Sequence, residues 1–504
     1  MNILDKVVSF FDPKAGAQRA YHRHYISFME KRHFEGASKT ARTKGWKRPN
    51  TSANGANQGK LSLLRSTARD LVRNNPYAER GVAGIAGNIV GTGIRLKLRH
   101  AKKNKKLQKQ ATDSIWNWAH TKKCDYDGDL DFFGIQNLAM RCIIESGEVL
   151  ARRVWTKDLP KDILPFQIQL LEPDFIDDTR NQILPNGNKI IQGIEYNKKN
   201  KRVAYWLWTS HPGDSVIGLS DFKSERVDAA DIIHVFDKKR VGQIRGYSWF
   251  APVIVRLKEF DDYEDAQLVK QRVSAAWCAF VHDSNVQDGA TGLSSTKAPE
   301  DSQLDFLTAG VIEHLPPGKE IAFANPPQVT GYNDYTINIL RGAAIGMGGN
   351  YEMMTGDYSQ LNFSSGRMGW IEFQRAIERW RKDIVINGLC EGVFAWIEEA
   401  APLIGLNLTD FERSWTAPRR EMIDPTKEIP AQIQEVQGGL KSLSTQIMEN
   451  GDDPEEVFAQ IAEDKATLAE LGIEVGAYRL DSKFVDPAKE DTEKSGIDAA
   501  NQKK

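Results

Sequence analysis

The sequence predicts an α+β fold, and three observations predict it. Apolar residues recur at helical spacing over about 61–90, 107–146, 252–277, 333–349 and 367–400. Alternating, strand-like runs fill the middle, from Val149 to Phe236. A long helical stretch, about 367–400, follows a polar, turn-rich run, YEMMTGDYSQLNFSSGR, that still carries Tyr351, Tyr358, Leu361 and Phe363. A loop that only joins two helices does not need so many large side chains, so this one is expected to touch something. At 504 residues the chain can bury a large core and holds more than one structural unit.

The elements follow in order. Residues 1–60 are dominated by small and basic residues and read as a flexible basic arm. From Leu61, the residues Leu64, Ala68, Leu71 and Val72 follow helical spacing, with Arg65, Arg69 and Arg73 on a neighbouring face. Pro76 ends or interrupts that helix. A second helix, rich in small residues, spans Gly81–Val90, and small residues let backbones approach closely. Gly91 to Gly93 break it, and Ile94–Leu98 alternates as a strand. Helices are expected over 107–125 and 134–146, then strands Val149–Trp155, Phe166–Leu171, Ile190–Tyr196, Val203–Thr209 and Asp231–Phe236. Asn186-Gly187 marks a hairpin turn. Pro252 opens a helix to about Trp277 that carries the acidic cluster Glu259, Asp261, Asp262, Glu264 and Asp265. Residues 278–332 are irregular, with short strands near Val311–Leu315 and Glu320–Phe323. A helix over 333–349 leads to the aromatic-bearing loop. Asp424-Pro425 and Asp453-Pro454 open the last helices.

Charge and motifs narrow the function. The net charge of −1 hides a polarity: residues 1–110 carry a net +18 and residues 421–504 a net −10. Such asymmetry points to partners or to solvated tails rather than to a fold. Four scattered cysteines form no CxxC pair, which argues against a zinc site or disulfide framework and suits a reducing compartment. No run of about 18 apolar residues exists to span a membrane, and the start is not a secretory signal. Gly55 to Lys60 fails as a phosphate loop: its glycines are one residue too close and Leu61 stands where a magnesium-binding hydroxyl belongs. No Gly-x-Ser-x-Gly elbow occurs. Asp125, Asp127, Asp129 and Asp131 alternate as the carboxylates of a metal-dependent nuclease could; the favoured reading is a turn whose Asp caps the helix starting near Phe133. His234 reads as a half-buried strand residue. Lys102–Lys109 reads as a solvated turn rather than a nucleic-acid grip.

Four blocks resemble one family, the lambda-type phage portal proteins. They are RDLVRNNPYAERGVAGIAGNIVGTGI; Arg245-Gly246-Tyr247-Ser248 with DDYEDAQLVKQRVSAAW; Asp357-Tyr358-Ser359 with Asn362-Phe363-Ser364-Ser365-x-Arg367; and Asp424-Pro425-x-Lys427-Glu428 with Gly451-x-Asp453-Pro454-Glu455-Glu456. Their order matches the family's. The resemblance implies a wing (61–250), stem helices (251–277 and 333–350), a β-containing clip (278–332), a tunnel loop (351–366), a long helix and wing return (367–418), a helical crown (419–480) and a disordered tail (481–504). It implies a homo-oligomeric ring, expected to be a dodecamer, in the virion at one vertex of the phage head, assembled in the host cytoplasm. Double-stranded DNA would enter and leave through its centre. Expected partners are the terminase large subunit, the major capsid and scaffold proteins and the head-completion adaptors, with no membrane. No catalytic residue, cofactor or metal is expected. Tyr358, Gln360, Asn362, Phe363, Ser364, Ser365 and Arg367 are expected at the DNA channel, with Tyr351 and Phe363 anchoring the loop's ends. Glu259, Asp262 and Asp265 would line the channel and repel phosphates. The alternatives are a basic-armed nucleic-acid-binding scaffold without a ring, and the nuclease.

Overall fold

The computed structural model describes residues 50–102, 104–214, 223–275, 279–283, 319–323, 331–419 and 421–472, with scattered positions before residue 50. Met1–Ala56 form one unit and Asn57–Lys504 another. Little of the first unit is described; in it Asp12 accepts hydrogen bonds from the backbone N–H groups of Lys14 and Ala15. The expected arm lies mostly, and the tail wholly, outside the described residues.

The second unit is α+β, as the sequence predicts. It opens with α1 (Leu61–Asn74) and α2 (Pro76–Val90). Pro76 does more than end α1. It is the first residue of α2, where its missing N–H costs nothing, and the Asn75 side chain caps the turn by accepting from Ala78 N. So α2 starts five residues before its expected position.

Strand β1 (Arg95–His100) pairs antiparallel with a strand at the far end of the chain, Phe411–Thr416. Helices α3 (Lys105–Ala119) and α4 (Phe132–Ser146) follow. Trp118 is fully buried and donates its Nε1–H to the Phe166 carbonyl at 3.0 Å, so its one polar atom is satisfied. Next come β2 (Glu148–Trp155), β3 (Phe166–Leu171), β4 (Gln182–Ile183), β5 (Lys189–Ile191), β6 (Ile194–Tyr196), β7 (Arg202–Trp208), β8 (Ser224–Asp228) and β9 (Ile232–Phe236). They form a three-stranded sheet, β3-β2-β9, and a five-stranded meander, β4 through β8, all antiparallel. The single strand expected over 190–196 is in fact two strands joined at Gln192-Gly193. Both residues have positive φ, +50° and +77°, the geometry of a two-residue hairpin turn.

Helix α5 (Ile254–Ala275) precedes a two-stranded antiparallel sheet, β10 (Ala279–Asp283) with β11 (Lys319–Phe323). The strand expected near 311–315, with most of the clip, lies outside the described residues. Then come α6 (Tyr332–Met347), α7 (Tyr351–Thr355) and α8 (Phe363–Trp380). The expected continuous helix over 367–400 starts earlier and changes pitch: Arg381–Cys390 is a π-helix, and α9 (Glu391–Ala400) resumes the ordinary turn. The wider π turn carries Gly388 onto Val235 of β9, where an added Cβ would lie 2.8 Å from Cγ1. Arg381 fixes its start by donating to the carbonyls of Asn88 and Ile89, the unsatisfied C-terminal end of α2, at 2.8 and 2.7 Å. Strand β12 (Phe411–Thr416) closes on β1, and α10 (Pro425–Gln437), α11 (Leu443–Glu449) and α12 (Pro454–Glu470) end the described chain.

The main core joins α1–α9 with sheet β3-β2-β9. A smaller core, Leu150, Leu171, Ile176, Ile194, Tyr205, Leu207 and Ile232, lies between that sheet and the meander. Cys124, Cys142 and Cys390 are free thiols. Burial pushes Cys124 up to about 12 and raises the other two, so all three are inert. No helix among the described residues is long and apolar enough to cross a membrane.

Candidate nucleic-acid interface

The run from Tyr351 to Arg367 is shorter as a loop than its composition suggests. Its first five residues form α7, which Gly356 closes in the left-handed conformation (φ +73°), donating its N–H to Glu352 O at 2.8 Å. Its last residues already belong to α8. Asn362 caps that helix by accepting from Ser365 N at 2.8 Å, while Ser365 Oγ accepts from Asn362 N at 3.2 Å. This reciprocal capping box satisfies two backbone donors. The free loop is therefore 356–362, and the expected boundary at 366 is corrected by four residues.

The loop's approach is held firmly. Met354 is buried, and Met353 lies against the glycine face of α2: a Cβ on Gly84 would fall 2.9 Å from its Cγ and Sδ. Gly81 meets Met347 in the same way, at 2.8 Å. Small residues on α2 thus make a channel that thioether side chains fill. Gly84→Ile is expected to overpack this channel, at a cost of about 1–3 kcal/mol. Thermal denaturation reads the loss; an unchanged midpoint would show that α7 is not seated there.

Tyr351 anchors the near end, as expected. It is half-buried, lies under the Arg341 guanidinium (5.5 Å from its ring centre), and donates its hydroxyl to Asp357 Oδ2 at 3.1 Å. Burial, then the Asp357 carboxylate, raises the phenol's pKa. Asp357 Oδ1 accepts from Ser359 N at 3.0 Å, and the hydrogen bonds from Ser359, followed by that from Tyr351, hold the carboxyl below its usual range. Phe363 does not anchor the far end. Its side chain is 56% exposed, because the capping box, not an apolar contact, starts α8.

The tip presents Tyr358, 63% exposed, with Ser359 and Gln360 exposed beside it. Asn362, Ser364, Ser365 and Arg367 are exposed too, at the start of α8. Asn362 and Ser365 spend one side-chain oxygen each on the cap. The arrangement offers an aromatic hydroxyl, amides, hydroxyls and one guanidinium, which suits loose phosphate contacts rather than base reading.

The acidic face of α5 divides in two. Glu259, Asp262 and Asp265 are exposed, and Asp262 meets Lys258 at 2.6 Å. Asp261 and Glu264 turn inward, accepting from Asn75 Nδ2 at 2.6 Å and from the Tyr332 hydroxyl at 3.4 Å.

Two of the four nuclease carboxylates are otherwise engaged, and Asp127 and Asp129 are exposed. Asp131 caps α4 by accepting from Gly134 N at 2.8 Å, and buried Asp125 accepts from the backbone N–H groups of Asp129 and Leu130. This is the helix-terminus turn that the sequence favours. Glu172, Asp174 and His211 stand close enough to share an ion. However, Arg69 already supplies the cation there, at 2.9 Å from Glu172 and 2.6 Å from Asp174. Lys102 is tied to Asp410 at 2.9 Å, and Asn104 caps α3.

Sequence reasoning missed a buried ionic cluster that ties α1 to the β-sheet region. Glu148 Oε1 accepts from Arg245 Nη2 at 2.6 Å and lies 3.9 Å from Arg65, while Oε2 accepts from His234 Nε2 at 2.9 Å and Gly246 N at 2.7 Å. Arg65 and Arg69 reach from α1 to Asp174 at 3.3 and 2.6 Å. The one signal is the arginine ladder Arg65–Arg69, which the spacing puts on a face beside the apolar one.

The chain is thus a multi-layer α+β protein with an exposed polar-aromatic loop on rigid helices and no assembled catalytic group among the described residues. The model of the phage portal proteins, lambda family, matches residues 39–381. The chain belongs to that family, whose members stand at the capsid vertex. It is 27% identical over 428 residues to the probable portal protein of Halomonas phage phiHAP-1, covering 81% of each chain. It is 22% identical to portal protein B of Escherichia phage lambda, covering 93% of this chain and 95% of that one. A chain in the solved virion of a native gene transfer agent particle is 13% identical, with 78% of this chain and 94% of that one covered and a TM-score of 0.46.

Proposed function

We propose that copies of this chain close into a ring, with twelve as the expected number, through which double-stranded DNA passes into and out of the phage head. Each copy presents the tip 358–362 and Arg367 to the duplex. The contacts are weak and blind to sequence: Tyr358, Gln360, Asn362 and Ser364 hydrogen-bond to phosphates and Arg367 adds a charged contact. Glu259, Asp262 and Asp265 on α5 face the channel and keep DNA from adhering. The chain does no chemistry itself; the terminase large subunit docks at the clip, around 278–332, and head-completion proteins replace it later. Capsid and scaffold proteins meet the ring during assembly in the host cytoplasm.

The observation that supports this best is the exposed tip, hung between a Met-seated helix and a capped one. Replacing both Tyr358 and Arg367 by Ala should leave particle mass unchanged while lowering DNA retention in filled heads. Unchanged packaging and retention would remove the loop from the mechanism, and a monomer by light scattering would remove the ring.

A further inference from the structure

Two charged patches stand at opposite edges of sheet β3-β2-β9. The acidic one is the turn that precedes α4. Its backbone lies along the outer edge of β3, where Asp125 bridges to Ile168 and Tyr126 N donates to Ile168 O at 3.0 Å. The basic one begins where β9, on the other edge, ends at Phe236. Ile168 lies opposite Arg153 of β2 and Phe236 opposite Glu148, five residues away. The patches are therefore offset by about 17 Å along the strands as well.

The basic patch is held in shape. Buried Gln243 accepts at Oε1 from Lys239 N at 3.0 Å and Arg240 N at 3.1 Å, and donates Nε2 to Arg245 O at 2.8 Å. The turn projects as a fixed finger, with Lys238 exposed and Val241 fully exposed at its tip. Lys239 Nζ lies 5.8 Å from the Trp249 ring centre, and the Arg379 guanidinium 5.5 Å from that of Trp380. The two rings are 4.8 Å apart, so two cations share one aromatic platform. Burial lowers the Lys239 pKa; Asp237 opposes this, and the Arg379 charge adds to it. Neither cation has an ion pair among the described residues.

The acidic patch is the counterpart. Asp127 and Asp129 are exposed, and among the described residues neither carboxylate has a hydrogen bond or an ion pair, although Lys122 and Lys123 precede them. Burial, then the Asp125 and Asp129 charges, raises the Asp127 carboxyl. Tyr126 is 48% exposed beside it, so each patch also carries one exposed apolar side chain.

Each patch crowds like charges that nothing in its own copy offsets. A ring joins two different faces of the same chain head to tail, which is what patches at opposite edges provide. Duplex DNA would fit the basic patch and leave the acidic one unexplained. We propose that the finger 238–241, with Arg379, of one copy docks on the Asp127–Asp129 turn of the next. Charges at such a contact chiefly steer encounter and fix register. The proposal rests on the ring inferred above and names the two faces that meet in it.

Mass photometry of the full-length protein against concentration, at physiological salt, tests it. Lys239→Glu with Arg379→Glu should raise the concentration of half-assembly at least about tenfold, because like charges then face each other at every junction. Asp127→Lys with Asp129→Lys should do the same. All four changes in one chain should bring assembly back toward the unaltered protein, since the signs are exchanged and not lost. Folding defects would add instead, and thermal midpoints of the three variants follow them. The proposal is overturned if either double variant assembles like the unaltered protein, or if the fourfold variant assembles no better than the doubles. It is also overturned if the Lys239–Arg379 variant assembles normally but loses affinity for a duplex DNA probe, since the cations would then serve nucleic acid. In each of these cases the unaltered protein still forms rings. An unaltered protein that stays monomeric at every concentration would remove the ring itself, and the docking with it.

Discussion

Glu148→Ala is expected to destabilise the second unit by about 3–5 kcal/mol, the cost of breaking a buried ion pair from one side. Glu148, Arg245 and the His234 side chain are all buried, so removing the carboxylate strands Arg245 in the interior and leaves Gly246 N–H without its acceptor. Removing both charges, in Glu148→Leu with Arg245→Met, should cost much less than the single change, because no unpaired charge remains. Chemical denaturation of the three proteins measures this; a single variant no worse than the double would refute it.

The same cluster sets a pH dependence. Burial alone would raise Glu148, but the Arg245 charge and the His234 hydrogen bond outweigh it and hold the carboxyl far below its usual range. Burial lowers His234, and its bond to Glu148 only partly offsets this. Neutral His234 then donates from Nε2, with buried Nδ1 accepting nothing. Both shifts act in one direction. Below about pH 6.5 the unfolded histidine takes up a proton that the folded one refuses, and below about 4.3 the unfolded carboxyl does likewise. Stability should therefore fall as pH drops through each window. His234→Phe should flatten the upper part of that slope, and a slope unchanged there would exclude the histidine.

Gly147→Ala is expected to cost about 2–5 kcal/mol, combining a left-handed backbone with overpacking. Gly147 sits at φ +95°, and a Cβ there would lie 2.2 Å from the Tyr247 carbonyl carbon and 2.5 Å from Ser248 N. Those are backbone atoms that cannot swing aside. Gly246 mirrors the constraint, its Cβ falling 2.1 Å from Gly147 O. The close approach of these two glycines brings Gly246 N–H onto Glu148. Gly242→Ala is the control: it has a similar φ, +79°, but nothing within 4 Å, so it should carry only the backbone strain, roughly 1–2 kcal/mol. Equal thermal shifts for the two variants would show that the 147–246 contact is not rigid.

Much of the site was legible because its signals are local. Asp357, Ser359 and Gly356 are turn residues, and the Asn362–Ser365 spacing is that of a cap. By composition the cap nonetheless looks like four more residues of loop, since small polar residues fit a capped first turn and a loop equally well. Phe363 shows the same ambiguity: a large apolar side chain suggests an anchor, and only the fold leaves it exposed. The π segment does leave a trace: apolar steps of three and four from Trp370 to Ile384 give way to steps of five, Ile384 to Leu389 to Phe394, too short a run to set the pitch by itself.

By itself the sequence determined the α+β class, the order of helices and strands, the polar-aromatic run before α8 and the acidic C-terminal helices. These rest on spacings within a dozen residues, where backbone geometry converts sequence directly into a face or a turn. Only the tertiary structure decided that Arg65 turns inward, that Glu148, His234 and Arg245 meet, and that Gly147 and Gly246 touch. Those partners lie 97, 86 and 99 residues apart or nearly so, as Glu148 to Arg245, Glu148 to His234 and Gly147 to Gly246. A charge is tolerated in the interior only when its counter-charge arrives from elsewhere in the chain, and no local pattern records that arrival.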